Sequence, residues 1–387
     1  MHRAEALAGL WQSMSVIARR GPAAVVLSIG VGLLILGLWK GTDVKIGDLH
    51  QGVPELRPDS RYNLDSSVIT NRFSIGVDVL TVFAEAVPES CIKYDYMAAV
   101  DDFAWYLSNV EGAQSTMTLP KIAKVINAGW NEGNLKWRVL PRNQHTLVQA
   151  TSPVDTSSGL LNRDCSVIPV LIFTKDHKAE TIERVIESVK QYDEKHGHET
   201  LHFALAGGNV GVMAATNEAV KATQFPMLLY VYCAILVLCL LSFRTIAGTL
   251  CIVLPLALVS LLAYALMSWL QIGLKVNTLP VVALGVGIGV DYGIYVFSRF
   301  QSLLQEGQEI REAFRTTLAI TGMSVLFTGC TLAAGVATWI FSPLQFQADM
   351  GILLTFMFLM NMLGAIILLP ALASWLIREQ TYDTSPQ

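Results

Sequence analysis

LPVVALGVGIGVDYGIYVFSRF, residues Leu279 to Phe300, decides how this chain is read. It is an apolar run about as long as a bilayer core is thick, with one carboxylate, Asp291, near its middle. An ionised side chain at that depth is costly unless it is neutralised, paired or hydrated. Asp291 is therefore expected to take up and release protons, because a carboxyl group drawn out of water can exchange its proton near neutral pH. The plainer alternative is a structural hydrogen bond between helices. Tyr292 follows directly and could hydrogen-bond the acid or its conjugate base. Gly285, Gly289 and Gly293 recur every fourth residue, with Gly287 between them. Such small residues let helices approach closely in lipid, and the stripe is expected to bury Asp291 inside a helix bundle. The glycines superficially resemble a dinucleotide loop, but they lie inside a span and follow no soluble strand.

The rest of the chain agrees with a membrane setting. Of 387 residues, 52% are hydrophobic and only 15% charged, where a soluble domain carries about 25% charged. The apolar excess sits in one block near the N-terminus and in a long C-terminal part, with a polar stretch between. The expectation is a polytopic α-helical protein with six transmembrane helices, arranged one plus five around a large inserted domain. The spans are expected near Ala23 to Trp39, Pro226 to Phe243, Thr245 to Leu270, Thr278 to Ser298, Leu318 to Phe341 and Met350 to Ile377. The first follows Arg19 and Arg20 but lacks a small-x-small cleavage site before Lys40, so an uncleaved anchor is expected. Arg3, Arg19, Arg20, Arg244, Arg299, Arg311, Arg315 and Arg378 all fall on one side, which puts both termini in the cytoplasm. Organisation then follows: 1–42 for the N-terminal tail and first helix, 43–224 for the extracytoplasmic domain, 225–379 for five helices, and 380–387 for a cytoplasmic tail. Between spans four and five, near 308–318, Ile310, Ala313, Phe314 and Thr317 share a helical face opposite Glu309, Arg311, Glu312 and Arg315. That pattern suggests a short helix on the membrane surface, against a plain solvated linker.

The inserted domain reads as α+β. Val167 to Phe173, Leu201 to Leu205 and Ile75 to Ala84 have strand character, and Tyr94 to Leu107, His177 to His196 and Asn209 to Gln224 helical character. Gly197 fits as the cap of the second helix. Repeated strand–helix–strand units suggest a split βαβ, ferredoxin-like arrangement. Residues Gly129 to Gly159, with Trp130, Trp137, Pro141 and Pro153, suggest loops and short strands. Trp105, Trp130 and Trp137 could line a cargo path, though core positions are the simpler expectation. Cys91 and Cys165 are the cysteines of this domain, and an oxidising compartment favours a bridge between them; two buried thiols are the alternative. Cys233, Cys239, Cys251 and Cys330 lie in spans, where buried thiols are the default.

In span five, Thr321, Ser324, Thr328 and Thr331 place hydroxyls on one helical face. These could reach across to Asp291 or hold water, or simply bond their own helix backbone. His196, His198 and His202 cluster near a loop without the Cys or carboxylate spacing of a known metal site. No HExxH, Walker A loop or G-x-S-x-G elbow occurs, so neither ATP hydrolysis nor another enzymatic activity is expected. A net charge of −4 gives no footprint for nucleic acid.

One span, a large domain and five spans, together with GVGIGVDYGIYVFSRF and the closing QADMGILLTFMFLMNMLGAIILLPAL, resemble one half of a resistance–nodulation–division (RND) transporter of the MmpL-like, lipid-exporting branch. The closing helix and short tail are more similar to a C-terminal half. The resemblance implies an inner-membrane exporter with a periplasmic, porter-like domain, driven by the proton gradient without any other cofactor. Asp291 would carry the proton, Tyr292 would be its partner, and Ser324 and Thr328 would complete the relay. Membrane lipids or hydrophobic small molecules would be cargo. Family members usually join two such halves in one polypeptide. A second RND half or a second copy of this chain is thus implied as partner, or the sequence is a piece of a longer protein. Two other readings start from the same topology: a lipid sensor resembling sterol-sensing domains, and an accessory subunit of protein export resembling the SecD and SecF half-chains.

Overall fold

A computed structural model describes residues 14–50, 52–73 and 75–377. Arg3, Arg378 and the expected tail 380–387 lie outside the described residues. The chain divides into two compact units, one of Met1–Ile46 with Ala219–Gln387 and one of Gly47–Glu218.

The first unit is a helical bundle with six helices long and apolar enough to cross a membrane. The chain is a multi-pass membrane protein. Helix α1 (Arg20–Gly41) is the first span. The Gly47–Glu218 unit supplies α2 (Arg61–Arg72), β1 (Val79–Ala86), α3 (Tyr94–Ser108), β2 (Ala113–Met117), α4 (Leu119–Trp130), α5 (Gln144–Thr151), β3 (Val167–Thr174), α6 (Ala179–His196) and β4 (Leu201–Gly207). Back in the bundle follow α7 (Gly208–Phe243), α8 (Ile246–Trp269), α9 (Leu279–Gln305), α10 (Ile310–Thr317), α11 (Met323–Ala337), α12 (Gln345–Leu363) and α13 (Leu369–Leu376). Residues Leu318–Gly322 form a π-helical turn that joins α10 to α11, and Gly364–Leu368 another that joins α12 to α13.

Two residues separate α7 from α8, and Arg244 turns the corner in the left-handed region at φ 54°. The tight reversal makes α7 and α8 antiparallel neighbours. Tyr232 bonds across, its hydroxyl 2.6 Å from Ser260 Oγ and 3.1 Å from the Leu256 carbonyl. Helix α8 is the most enclosed span; α1 packs on it where Gly37 and Gly41 leave room for Leu261 and Tyr264. Helix α10 forms as the amphipathic pattern suggests, but its apolar face is not left for a bilayer. Ala313, Phe314 and Thr317 are buried, and Phe314 sits edge-on to Phe300 of α9 at 6.2 Å. The bundle itself covers that face.

In the second unit, the sheet order is β2-β3-β1-β4, and every neighbouring pair is antiparallel. The strands of each strand–helix–strand unit are separated by a strand of the other. Strand β1 alternates between buried and half-buried positions, with Leu80, Val82 and Ala84 inward. Helix α3 and helix α6 cover that face through Phe103, whose ring lies 4.9 Å from Tyr192 and 4.1 Å from Phe203. The strand expected from Ile75 starts four residues later, at Val79. Residues Gly129 to Gly159 hold the end of α4, helix α5 and short 3-10 turns rather than strands. Asn127 explains this: its side-chain amide donates to the Trp137 and Val139 carbonyls at 2.8 and 3.2 Å, which folds the segment back on α4. Trp105, Trp130 and Trp137 are exposed, not core, because they fall on the outer faces of α3 and α4 and in the 3-10 turn beside them. Gly197 does occupy the C-cap of α6, but in extended backbone rather than a left-handed cap.

Cys91 and Cys165 are joined by a disulfide, with Cα atoms 5.4 Å apart. It links the 3-10 turn after β1 to the segment entering β3. At the other end of the sheet, the buried imidazole of His177 meets Asp78, Nδ1 to Oδ2, at 3.1 Å. Asn209, in the first turn of α7, accepts from the Val79 amide at 2.8 Å and donates to the Val77 carbonyl at 3.2 Å. One polar knot thus pins the start of β1, the lead into α6 and the start of α7.

Candidate functional site

The site is built on α9, where the glycine spacing sorts the helix into faces. Gly285 packs against Met357 and Gly289 against Asn361, both of α12; Gly293 packs against Ile252 of α8. A Cβ at any of these three would collide. Asn361 secures the closest crossing, its amide donating to the Gly285 carbonyl at 3.0 Å. A residue advances about 100° around a helix, so Asp291, two positions from both Gly289 and Gly293, lies about 200° from them. The stripe therefore cannot bury Asp291, and the structure places the carboxylate on the exposed side. Gly287 belongs to that side as well, with no atom within 4 Å of an added Cβ. Leu284, half-exposed at 49%, and Tyr295, at 62%, extend the same face. A carboxylate with no hydrogen bond or ion pair among the described residues is thus set in an open apolar stripe of this chain.

Tyr292 does not pair with Asp291. It faces inward, 2% exposed, and its hydroxyl is buried without a hydrogen-bond partner among the described residues. A polar hydroxyl held that way normally costs about 1–3 kcal/mol. On α11, Ser324 and Thr328 are exposed. Thr331 turns its hydroxyl back on its own helix, to the Phe327 carbonyl at 2.8 Å and that of Thr328 at 3.0 Å. The Thr321 hydroxyl is buried and has no hydrogen-bond partner among the described residues. No hydrogen bond connects this hydroxyl series with Asp291 among the described residues.

Two residues of this region escaped the sequence reading. Asn361 is a polar residue inside the closing span, and its periodic relation to Gly285 and Gly289 exists only between helices. Asp349 is an acid of the bundle that is buried, 6% exposed, in the first turns of α12, where Gln345 donates to it at 2.7 Å. Its signal was available, since it stands in QADMG at the head of the same span. His196, His198 and His202 do not converge: they meet the Tyr192 carbonyl, Thr200 and Asp193 respectively. No group of three or more potential metal ligands occurs among the described residues.

Six candidate membrane spans, one with an acid near its middle, and an inserted α+β unit define a polytopic membrane protein. The MMPL family model matches residues 140–384. The chain belongs to this MmpL-like branch of the RND superfamily. A membrane protein of Methanocaldococcus jannaschii, MJ1562, is 26% identical over 57% of this chain and 57% of its own length. SCO6666, a membrane protein of Streptomyces coelicolor, is 36% identical over 23% of this chain and 13% of its own. The trehalose monomycolate exporter MmpL3 of Mycolicibacterium smegmatis is 35% identical over 17% of this chain and 7% of its own. The matches therefore span little more than half of the first of these relatives and a small part of the others. Transport of lipid-like substrates is the function of this family.

Proposed function

We propose that the chain is one half of a proton-driven exporter of hydrophobic or lipid-like molecules, and that its open α9 face is where the other half docks. The observation that carries this reading is Asp291: a carboxylate in the middle of a span, without a hydrogen bond among the described residues and on a face that they leave uncovered. A lone charge facing hydrocarbon is costly, whereas a second half would enclose it, exclude lipid and supply polar partners. That half is either a separate chain or a second copy across a two-fold axis. In such an assembly Asp291 takes a proton on one side and becomes neutral, the helices settle into a second packing, and the proton leaves on the other side. Tyr292, buried next to Asp291 in sequence, and Ser324 and Thr328, exposed on α11, would serve as relay groups once that face is enclosed. The bundle sits in the inner membrane with both termini cytoplasmic. The Gly47–Glu218 unit is periplasmic and porter-like, a placement supported by its ferredoxin-like strand order and its disulfide.

The test is complementation in the native host. A strain lacking the gene receives the wild-type chain or Asp291→Asn, and its surface lipids are profiled by mass spectrometry. The wild type restores the missing lipid; the variant, present in the membrane at equal amount, does not. Export that persists with Asn at 291 would remove the proton-carrier role and favour a sensor.

A further inference from the structure

The Gly47–Glu218 unit holds an ionisable site of its own. His177, just ahead of α6, is 3% exposed, and Asp78, just ahead of β1, is 8% exposed. Asp78 is bonded through both carboxylate oxygens: Oδ2 lies 3.1 Å from His177 Nδ1, and Oδ1 accepts from the Asn209 side-chain amide at 3.4 Å. Its carbonyl accepts from the Thr174 amide at 2.9 Å, which fixes it to the end of β3. Asn209 is the second residue of α7 and also binds the Val79 amide. Gly208, which starts α7, turns in the left-handed region at φ 80°, and a Cβ there would strike the Val79 carbonyl. The root of α7 is thus held on β1 by Asn209, and Asn209 in turn by the acid that His177 faces.

Asp78 is an acceptor, so Nδ1 keeps its hydrogen whether the ring is charged or neutral. The proton that comes and goes is therefore carried on Nε2, which is buried and has no hydrogen-bond partner among the described residues. The charged groups that bear on the ring are Asp78, Asp48 in the segment after α1, and Asp176 in its own loop. The Ala179 amide donates to the Asp48 carbonyl at 3.0 Å, which keeps that segment against the start of α6. From β3 the knot receives Thr174 and from α7 Asn209, neither of which titrates. When the ring loses its charge, Asp78 remains a buried carboxylate held by neutral donors alone, and removing one partner of a buried pair is strongly destabilising.

We propose that His177, Asp78 and Asn209 form a proton-binding latch on the root of α7: the charged ring holds the first turn of α7 on β1, and the neutral ring lets it open. The ligand is a proton from the medium around the inserted unit. The element it governs runs unbroken from Gly208 to Phe243 and is itself one of the candidate spans. Burial opposes charging of His177, but the hydrogen bond and charge of Asp78, with the charges of Asp48 and Asp176, outweigh it. Folding thereby strengthens proton binding. The latch is complete below the unfolded histidine value of about 6.5 and loosens as pH rises through the folded one. No residue of α9 takes part, so the latch stands whether or not Asp291 carries protons.

Hydrogen–deuterium exchange of the full chain in detergent, read by mass spectrometry and corrected for the chemical pH dependence of exchange, tests this. From about pH 5.5 to about pH 9, peptides covering Val79 and Val210 to Met213 should lose protection by more than about threefold. A peptide covering Thr116 of β2, which pairs with Ile172 of β3, should change less. His177→Gln, which can still donate to Asp78 but cannot titrate, should show equal protection at both ends of the range. Asp78→Asn should abolish most of the change. A flat profile in the wild type, a comparison that needs no variant to fold, would overturn the proposal. So would an equal change at Thr116, which would mean that the unit opens only as a whole, or a wild-type slope retained by His177→Gln.

Discussion

Gly287 and Gly289 stand two positions apart on α9 and meet opposite surroundings. A methyl group at 289 would run into Asn361 and the Leu256 side chain, while one at 287 meets nothing within 4 Å. Gly289→Ala is therefore expected to destabilise the bundle by about 1–3 kcal/mol through overpacking. Gly287→Ala should be neutral, or gain up to about 1 kcal/mol from a stiffer helix. Thermal unfolding in detergent checks this, and equal midpoints for the two variants would refute the assignment of faces. At this scale the sequence made the chemistry legible but not its direction. The composition of Leu279 to Phe300 singled out Asp291, the glycines and Tyr292. Which way each points follows from 100° steps around α9 together with the neighbours it meets. Those neighbours, Met357, Asn361 and Ile252, lie far away in the chain. Applying the rotation alone would already have separated Asp291 from the stripe.

Among the elements, α7 is the most consequential, because the polar knot at its first turn couples it to β1 and to the lead into α6. Burial opposes protonation of His177, but the hydrogen bond to Asp78 and the charges of Asp78, Asp48 and Asp176 outweigh it and hold the imidazole above its ordinary range. A pKa raised by folding contributes stability that is complete below the unfolded value of about 6.5 and is lost as pH rises through the folded value. The inserted unit should accordingly lose stability as pH climbs above about 6.5, and His177→Gln should flatten that slope. Unfolding of the full chain followed by tryptophan fluorescence across this range measures it; a wild-type slope that matches the variant would show that the knot is not titrating. Strands with β-branched runs, such as Val167–Thr174, were readable from sequence because local pattern and burial agree. The segment Gly129 to Gly159 was not. Its helices depend on Asn127 capturing distant carbonyls, a tertiary effect that its tryptophans and prolines conceal. The amphipathic stripe of α10 was read correctly as a stripe, yet sequence could not say that Phe300 rather than lipid would cover it.

For the whole molecule, the question is what completes it. Under the proposed function, a second half would cover the open α9 face, where Asp291 has no hydrogen bond among the described residues. Mild-detergent extraction from the native host, followed by mass photometry, is expected to give a particle of at least two polytopic chains. A species with the mass of one chain at every protein concentration would count against the shared interface. The family and its six spans were readable from order and composition: one apolar block, a polar interval, then five more.

The π-helical turn at Leu318–Gly322 has a consequence for phasing. A π turn holds one residue more than an α-helical turn over the same stretch of axis. Everything beyond it is rotated by about 100° relative to an uninterrupted helix. The azimuth at which α11 presents Ser324 and Thr328 is therefore set by one surplus residue upstream, not by their own positions. The turn acts as an indexing notch: annealing it into regular helix would swing both hydroxyls by about a quarter of a revolution without breaking the covalent chain or leaving the helical state.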